Sequence, residues 1–298
     1  GGSIVNGQTV LVRGESGINT SVTTDGGFSN VGTLTFTSLV NATANMAVGG
    51  SGTLSNFGAL NILAGAGGQR QYDWNLSNQA AGTVEVDADA VFSGPSRSHT
   101  TAGQFHIATG RSLTINGNGQ TFTLTNGTLD VDGLLDVVGA TFVFNGGTLT
   151  GDGTARVTNG RLSLGASGAG TVVHRGSGTM VGSIKANQSV LVRGESSLNT
   201  SIVADDSFSN AGHMTFTSTV NATSNMTVNK GGTVTNTGTI NVLAGAGGAR
   251  QYNWNLANAA SGVVNIGAGA EFSGAGRTHG NSGQFGVGAG ATLTINGG

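Results

Sequence analysis

The residues best equipped for chemistry in this 298-residue chain occur twice. Arg70, Tyr72 and Trp74 lie in RQYDWNL, and Arg250, Tyr252 and Trp254 lie in RQYNWNL. Arg97 and His99 return as Arg277 and His279. On a surface loop this set reads as a glycan or protein contact, because aromatic faces stack on sugars and guanidinium groups donate to hydroxyls and carboxylates. The competing reading is structural. Alternation in QYDWNL puts Tyr72, Trp74 and Leu76 on one side of an extended segment, where they would pack as a lid with Arg70 against an aromatic ring. One-sidedness favours packing.

Catalytic constellations are weak. A glycosidase needs two carboxylates about 5–10 Å apart, yet Asp73, Glu85 and Asp87 become Asn253, Asn265 and Gly267 in the second set. Glu15/Glu195 and Asp25/Asp205 persist, but Arg13-Gly14-Glu15 is the pattern of a turn or salt bridge. Asp130, Asp132 and Asp136 cluster in DVDGLLD; Asp130 and Asp132 would face the same way and could hold Ca²⁺ weakly, but the cluster reads better as a solvated face. The five histidines offer no zinc spacing, and AGAGG lacks the Lys-Ser/Thr of a phosphate loop. The expectation is a non-enzyme with no catalytic residue, metal or cofactor.

What positions the recurring residues is a large repeat. Residues 3–116 match 183–296 without a gap, at an offset of 180, and about 65 of the 114 pairs are identical. VLVRGES begins at Val10 and again at Val190, and NILAGAGG at Asn61 returns as NVLAGAGG at Asn241. Copy one is assigned to 3–118, a spacer to 119–182, and copy two to 183–298.

Within each copy, runs such as Gly32-Thr33-Leu34-Thr35-Phe36 and Gly127-Thr128-Leu129-Asp130-Val131 alternate with period two between Gly and Asn corners, and several start about 20 residues apart. No stretch sustains a helical period. Short strands at that interval predict one continuous β-solenoid over 1–298, an all-β, right-handed parallel β-helix of roughly 15 coils and on the order of 70 Å long. Expected core positions are Val10, Val12, Leu34, Phe36, Leu54, Leu60, Ile62, Val84, Val86, Leu113, Ile115, Leu129 and Val131, with their partners in copy two. Two longer loops per copy, Ala64–Ala81 and Ser93–Gln104, with counterparts Ala244–Ser261 and Ser273–Gln284, carry the candidate residues. Gly1 and Gly298 flank no polar cap, which predicts further coils or end-to-end contact.

Composition agrees. Gly numbers 55, Pro 1 and Cys 0, and only 9% of residues are charged. Disulfides and thiolate metal sites are excluded. A net charge of −2 gives no pull toward nucleic acid or anionic lipid, and no apolar run is long enough for a membrane span. Thr33-x-Thr35-x-Thr37 invites an ice-binding reading, which uneven coil intervals oppose.

The Asn-x-Gly-x-Leu/Ile pattern in SGTLSNFGALNI and GTVTNTGTINV resembles the coils of filamentous-haemagglutinin-type adhesins. FNGGTLTGDGT at Phe144–Thr154 is similar to autotransporter-passenger repeats. The resemblance implies a right-handed β-helix displayed on a bacterial surface and transfers no site residue. The expected function is a secreted extracellular or cell-surface fibre, stalk or adhesin segment. Its expected partners are other copies, end to end or lateral, and glycans on a host or neighbouring cell, with no nucleic acid and no membrane insertion. The alternatives are a filament or sheath subunit joined end to end, and a carbohydrate-binding or polysaccharide-degrading β-helix.

Overall fold

A computed structural model describes residues 2–68, 70–195, 198–248 and 250–296; Gly1, Gly298 and Ser196 of the second VLVRGES lie outside them. Among the described residues the chain is all strand, with one 3-10 turn at Asn229–Gly231. No helix there is long and apolar enough to cross a membrane. The strands pair in parallel as a β-solenoid of about 13 turns. The shortfall against 15 has a simple cause. Leu34, Leu60, Val84, Phe105, Leu129 and Leu149 sit directly above one another. Their sequence separations run from 26 (34 to 60) down to 20 (129 to 149), so most turns use more chain than the 20 expected.

The chain divides into two compact units, Gly1–Ala155 and Arg156–Gly298. In the first, each turn supplies one strand to each of three parallel sheets, as Thr53–Asn56, Ala59–Ile62 and Arg70–Asp73 do in succession. Alternation sends Leu60 and Ile62 inward while Ala59 and Asn61 face out. In the second unit, Met214, Ile240, Val264 and Phe285 form the corresponding rank.

Of the thirteen expected core positions named, eleven in copy one and two in the spacer, all are buried except Val10. Val10 is 40% exposed, whereas its repeat partner Val190 is 1% exposed. Val190 is stacked between Val172 and Met214, but Val10 pairs only with Leu34. Val190 has a turn on both sides and Val10 on one.

The Asn-x-Gly corners are built from inside. Asn30 Nδ2 donates to Asn56 Oδ1 at 2.7 Å, Asn56 Nδ2 to Asn78 Oδ1 at 2.8 Å, and Asn78 Nδ2 to Thr101 Oγ1 at 3.1 Å. Each amide also donates to a backbone carbonyl at the following corner: Ala59, Thr83 and Gln104. Copy two repeats the ladder through Asn210, Asn236, Asn258 and Asn281. Beside it, a Cβ on Gly58 would lie 2.2 Å from the Gly32 carbonyl oxygen, and one on Gly238 the same distance from that of Gly212. Only glycine lets successive corners approach this closely.

Replacing Asn56 with Ala strands the Asn78 carbonyl oxygen and the Thr83 carbonyl in a buried place. The expected cost is about 2–3 kcal/mol. Thermal melts should show a fall of a few degrees that Asn61→Ala, on the outward face, does not reproduce.

Candidate functional site

The ten candidate residues fall as five in each copy, and seven of them are buried. Of the stretch Ala64–Ala81, the irregular part precedes Arg70; the rest supplies strands Arg70–Asp73 and Asn75–Asn78. Tyr72, Trp74 and Leu76 share one face, as alternation requires, and that face is the core: Trp74 is 0% and Trp254 1% exposed. Tyr72 and Trp74 stack with centroids 4.5 Å apart, and Phe36 and Phe92 meet them edge-on from the neighbouring turns. Copy two builds the same group from Phe216, Tyr252, Trp254 and Phe272. The Tyr hydroxyls and Trp Nε1 groups are enclosed without hydrogen-bond partners, so the rings act as packing volume. Buried faces cannot stack on a sugar. A ligand patch on this part of the first unit would consist of what remains outside: Ser21, Asn45, Gln71, Asp73 and Ser93 line a shallow concavity there.

The arginines act as clamps. Arg70 is buried, with Nη1 donating to the Gly67 and Gly68 carbonyls at 3.1 and 2.6 Å and Nη2 to Ser38 Oγ at 2.9 Å. Gly67 and Gly68 have φ of 131° and 83°, and the side chain fixes that turn. Arg250 repeats every one of these bonds on Gly247, Gly248 and Ser218. Burial lowers the pKa of both guanidinium groups.

Arg97 spans two turns, donating Nε to Asp73 Oδ1 at 2.5 Å and Nη1 and Nη2 to the Gly50 and Val48 carbonyls. In copy two Arg277 keeps this reach with Asn253 in place of the aspartate and the Val228 carbonyl beyond it. Since an amide serves as well as a carboxylate, the contact is a hydrogen-bond clamp first and an ion pair second.

His99 stands directly above Leu76 and packs on Phe92 at 4.8 Å, so it does approach the Trp74 group. Burial, with the charge of Arg97, pushes its pKa down to about 3 against the opposing effect of the Gln120 side chain beside it. His279, with a turn on one side only, is part-exposed and less depressed.

The persistent glutamates form ion pairs. Glu15 pairs with Arg13 across a two-residue bridge to Ile18, and Glu195 is held by Arg193 and by Arg175, the latter at 2.5 Å. Asp136, expected on a solvated face, is buried.

One cluster is invisible in the linear pattern. Glu85, His106 and Asp130 occupy the same outward register on three successive turns. Nδ1 of His106 lies 2.5 Å from Glu85 Oε1 and Nε2 lies 3.3 Å from Asp132 Oδ2. Partial burial works against the charged imidazole, but the Glu85 hydrogen bond and charge outweigh it and raise the His106 pKa. The sequence separations of 21 and 26 carry no motif; only stacking makes these residues neighbours.

The fold defines a class: a parallel β-solenoid built on a long internal repeat, its most reactive-looking residues spent on packing and corner clamps. No protein-family description matches the chain, and no curated protein or solved structure is similar to it.

Proposed function

We propose that the chain is a scaffold segment of a bacterial extracellular surface protein, a stalk, fibre or adhesin shaft. The observation that supports this reading most is the twofold recurrence of the buried group. Both copies place Tyr, Trp and the first Arg inside, at the same register and with the same bonds. What the repeat preserves is the means of stacking one turn on the next, which suits an array whose task is reach and rigidity. The outward positions are mostly Thr, Ser and Asn, a sparsely charged surface with a net charge of −2 that does not attract nucleic acid or anionic lipid.

An antibody raised against the purified chain tests this on cells of the source organism. Labelling of intact, unpermeabilised cells is expected. Labelling only after permeabilisation would overturn the surface assignment, and turnover of a polysaccharide by the purified chain would overturn the scaffold reading.

A second reading is end-to-end assembly of copies, because the strand edges of a parallel solenoid are templates for pairing. Electron microscopy across protein concentration separates the two. Filaments lengthening with concentration support assembly; single particles at every concentration leave the shaft.

A further inference from the structure

We propose that His106, Asp130 and Asp132 form a binding site for a divalent first-row transition metal such as Zn²⁺, with Glu85 as the carboxylate that orients the histidine. One ligand atom from each of the three lies within 4.8 Å of the others, so a small inward rotation of the side chains brings all three onto one ion. They are half-buried on the outward face, where an ion can enter.

The arrangement around the three ligands is specific. A carboxylate can only accept, so the 2.5 Å contact makes Glu85 the acceptor of the His106 Nδ1 proton. Nε2 is thereby aimed at Asp132 Oδ2, 3.3 Å away. A histidine with one nitrogen held by a carboxylate and the other turned toward anionic oxygens is the outer-sphere pattern of metal-binding imidazoles. The two aspartates are held in the same way. Thr150 Oγ1 donates to Asp130 Oδ1 at 2.8 Å, and the Asp152 backbone N–H donates to Asp132 Oδ1 at 3.2 Å. Each ligand therefore has one atom fixed by the protein and another free to coordinate. One imidazole with two carboxylates suits Zn²⁺, Co²⁺ or Mn²⁺ better than Ca²⁺, which takes six to eight oxygens.

The second copy supplies an independent observation. At the positions of Glu85, Asp87 and His106 it has Asn265, Gly267 and Gly286, and the strands there still pair in register. Solenoid stacking therefore does not need the charges of the first copy. Three carboxylates, Glu85, Asp130 and Asp132, crowd one imidazole in neighbouring registers, with Asp87 acting on Glu85, and like charges placed that way destabilise a sheet. A divalent ion converts that repulsion into coordination, displacing the Nε2 proton as it binds.

Isothermal titration of the metal-free chain with ZnCl₂ near neutral pH is the test, repeated in two buffers of different ionisation enthalpy to count released protons. The expected result is one site per chain with proton release. His106→Asn and Asp132→Asn should each weaken it at least 10-fold, and Glu85→Gln by about 10-fold. Melting temperatures of the metal-free Asp132→Asn and Glu85→Gln variants should not fall below the parent's, because each removes one of the crowded like charges. No binding up to millimolar Zn²⁺ would overturn the proposal, as would unchanged affinity in His106→Asn. Equal affinity for Ca²⁺ would overturn the transition-metal assignment.

Discussion

Replacing Trp74 with Ala should destabilise the first unit by about 3–5 kcal/mol, the range for removing a large buried aromatic side chain. The indole is enclosed by Phe36, Tyr72 and Phe92, all buried, with the Tyr72 ring stacked on it at 4.5 Å. Deletion removes the apolar area of the indole and its edge-to-face contacts, and it opens a hole between turns that the backbone ladders prevent from collapsing. Trp254→Ala should cost about the same in the second unit, because Tyr252, Phe216 and Phe272 surround it in the same way. The two changes share no contacting side chain, so their effects should add. Thermal melts followed by circular dichroism read all three variants. An unchanged melting temperature together with loss of a surface ligand would put the ring outside and defeat the packing account.

That group shows what the sequence carries and what it omits. Alternation alone placed Tyr72, Trp74 and Leu76 on one side, and it placed Leu34, Phe36, Leu60 and Ile62 in the core. The Asn-x-Gly corners were legible as corners, because both residues have a conformational reason to be there. Their ladder was not, since nothing in SNVGTL says that Asn30 will meet Asn56 rather than water. The obstacle is register. Face follows from a two-residue period, but partners across turns depend on the length of each turn, which varies from 17 (156 to 173) to 26 residues (34 to 60), and a slip of one residue exchanges inside for outside. Arg97 with Asp73 and His106 with Glu85 were hidden for that reason. Val10 was misjudged for a different one: its pattern is that of Val190, which has a turn on both sides where Val10 has one.

Acid should unfold this protein earlier than its few carboxylates would suggest, and two buried histidines set the window. Burial, reinforced by the charge of Arg97, holds His99 near a pKa of about 3, and burial holds His174 near about 4 despite the Gly160 carbonyl on its Nε2. In the unfolded chain both titrate near 6.5. Between 6.5 and the folded values the unfolded state binds more protons, so stability is complete above about pH 6.5 and falls as the pH drops. At pH 4.5 each histidine should have cost its unit about 2–3 kcal/mol relative to neutral pH. Glu195, whose pKa the two arginines hold low against the opposing effect of burial, is also destabilised by acid, but only below the ordinary glutamate value. His106 is shifted upward and works in the opposite direction from a half-buried position. Loss that begins near pH 6.5 is therefore the histidine signature, and loss that begins below 4.5 is the carboxylate signature. Melting temperatures from pH 7.5 to 4, compared between the parent, His99→Phe and His174→Phe, distinguish them. Each Phe variant should flatten the curve above pH 4.5, by filling the same space with a ring that binds no proton. A curve already flat over that range in the parent would mean that water reaches these imidazoles, and that the turns around Phe92 and Gly160 open far more readily than the parallel ladders imply.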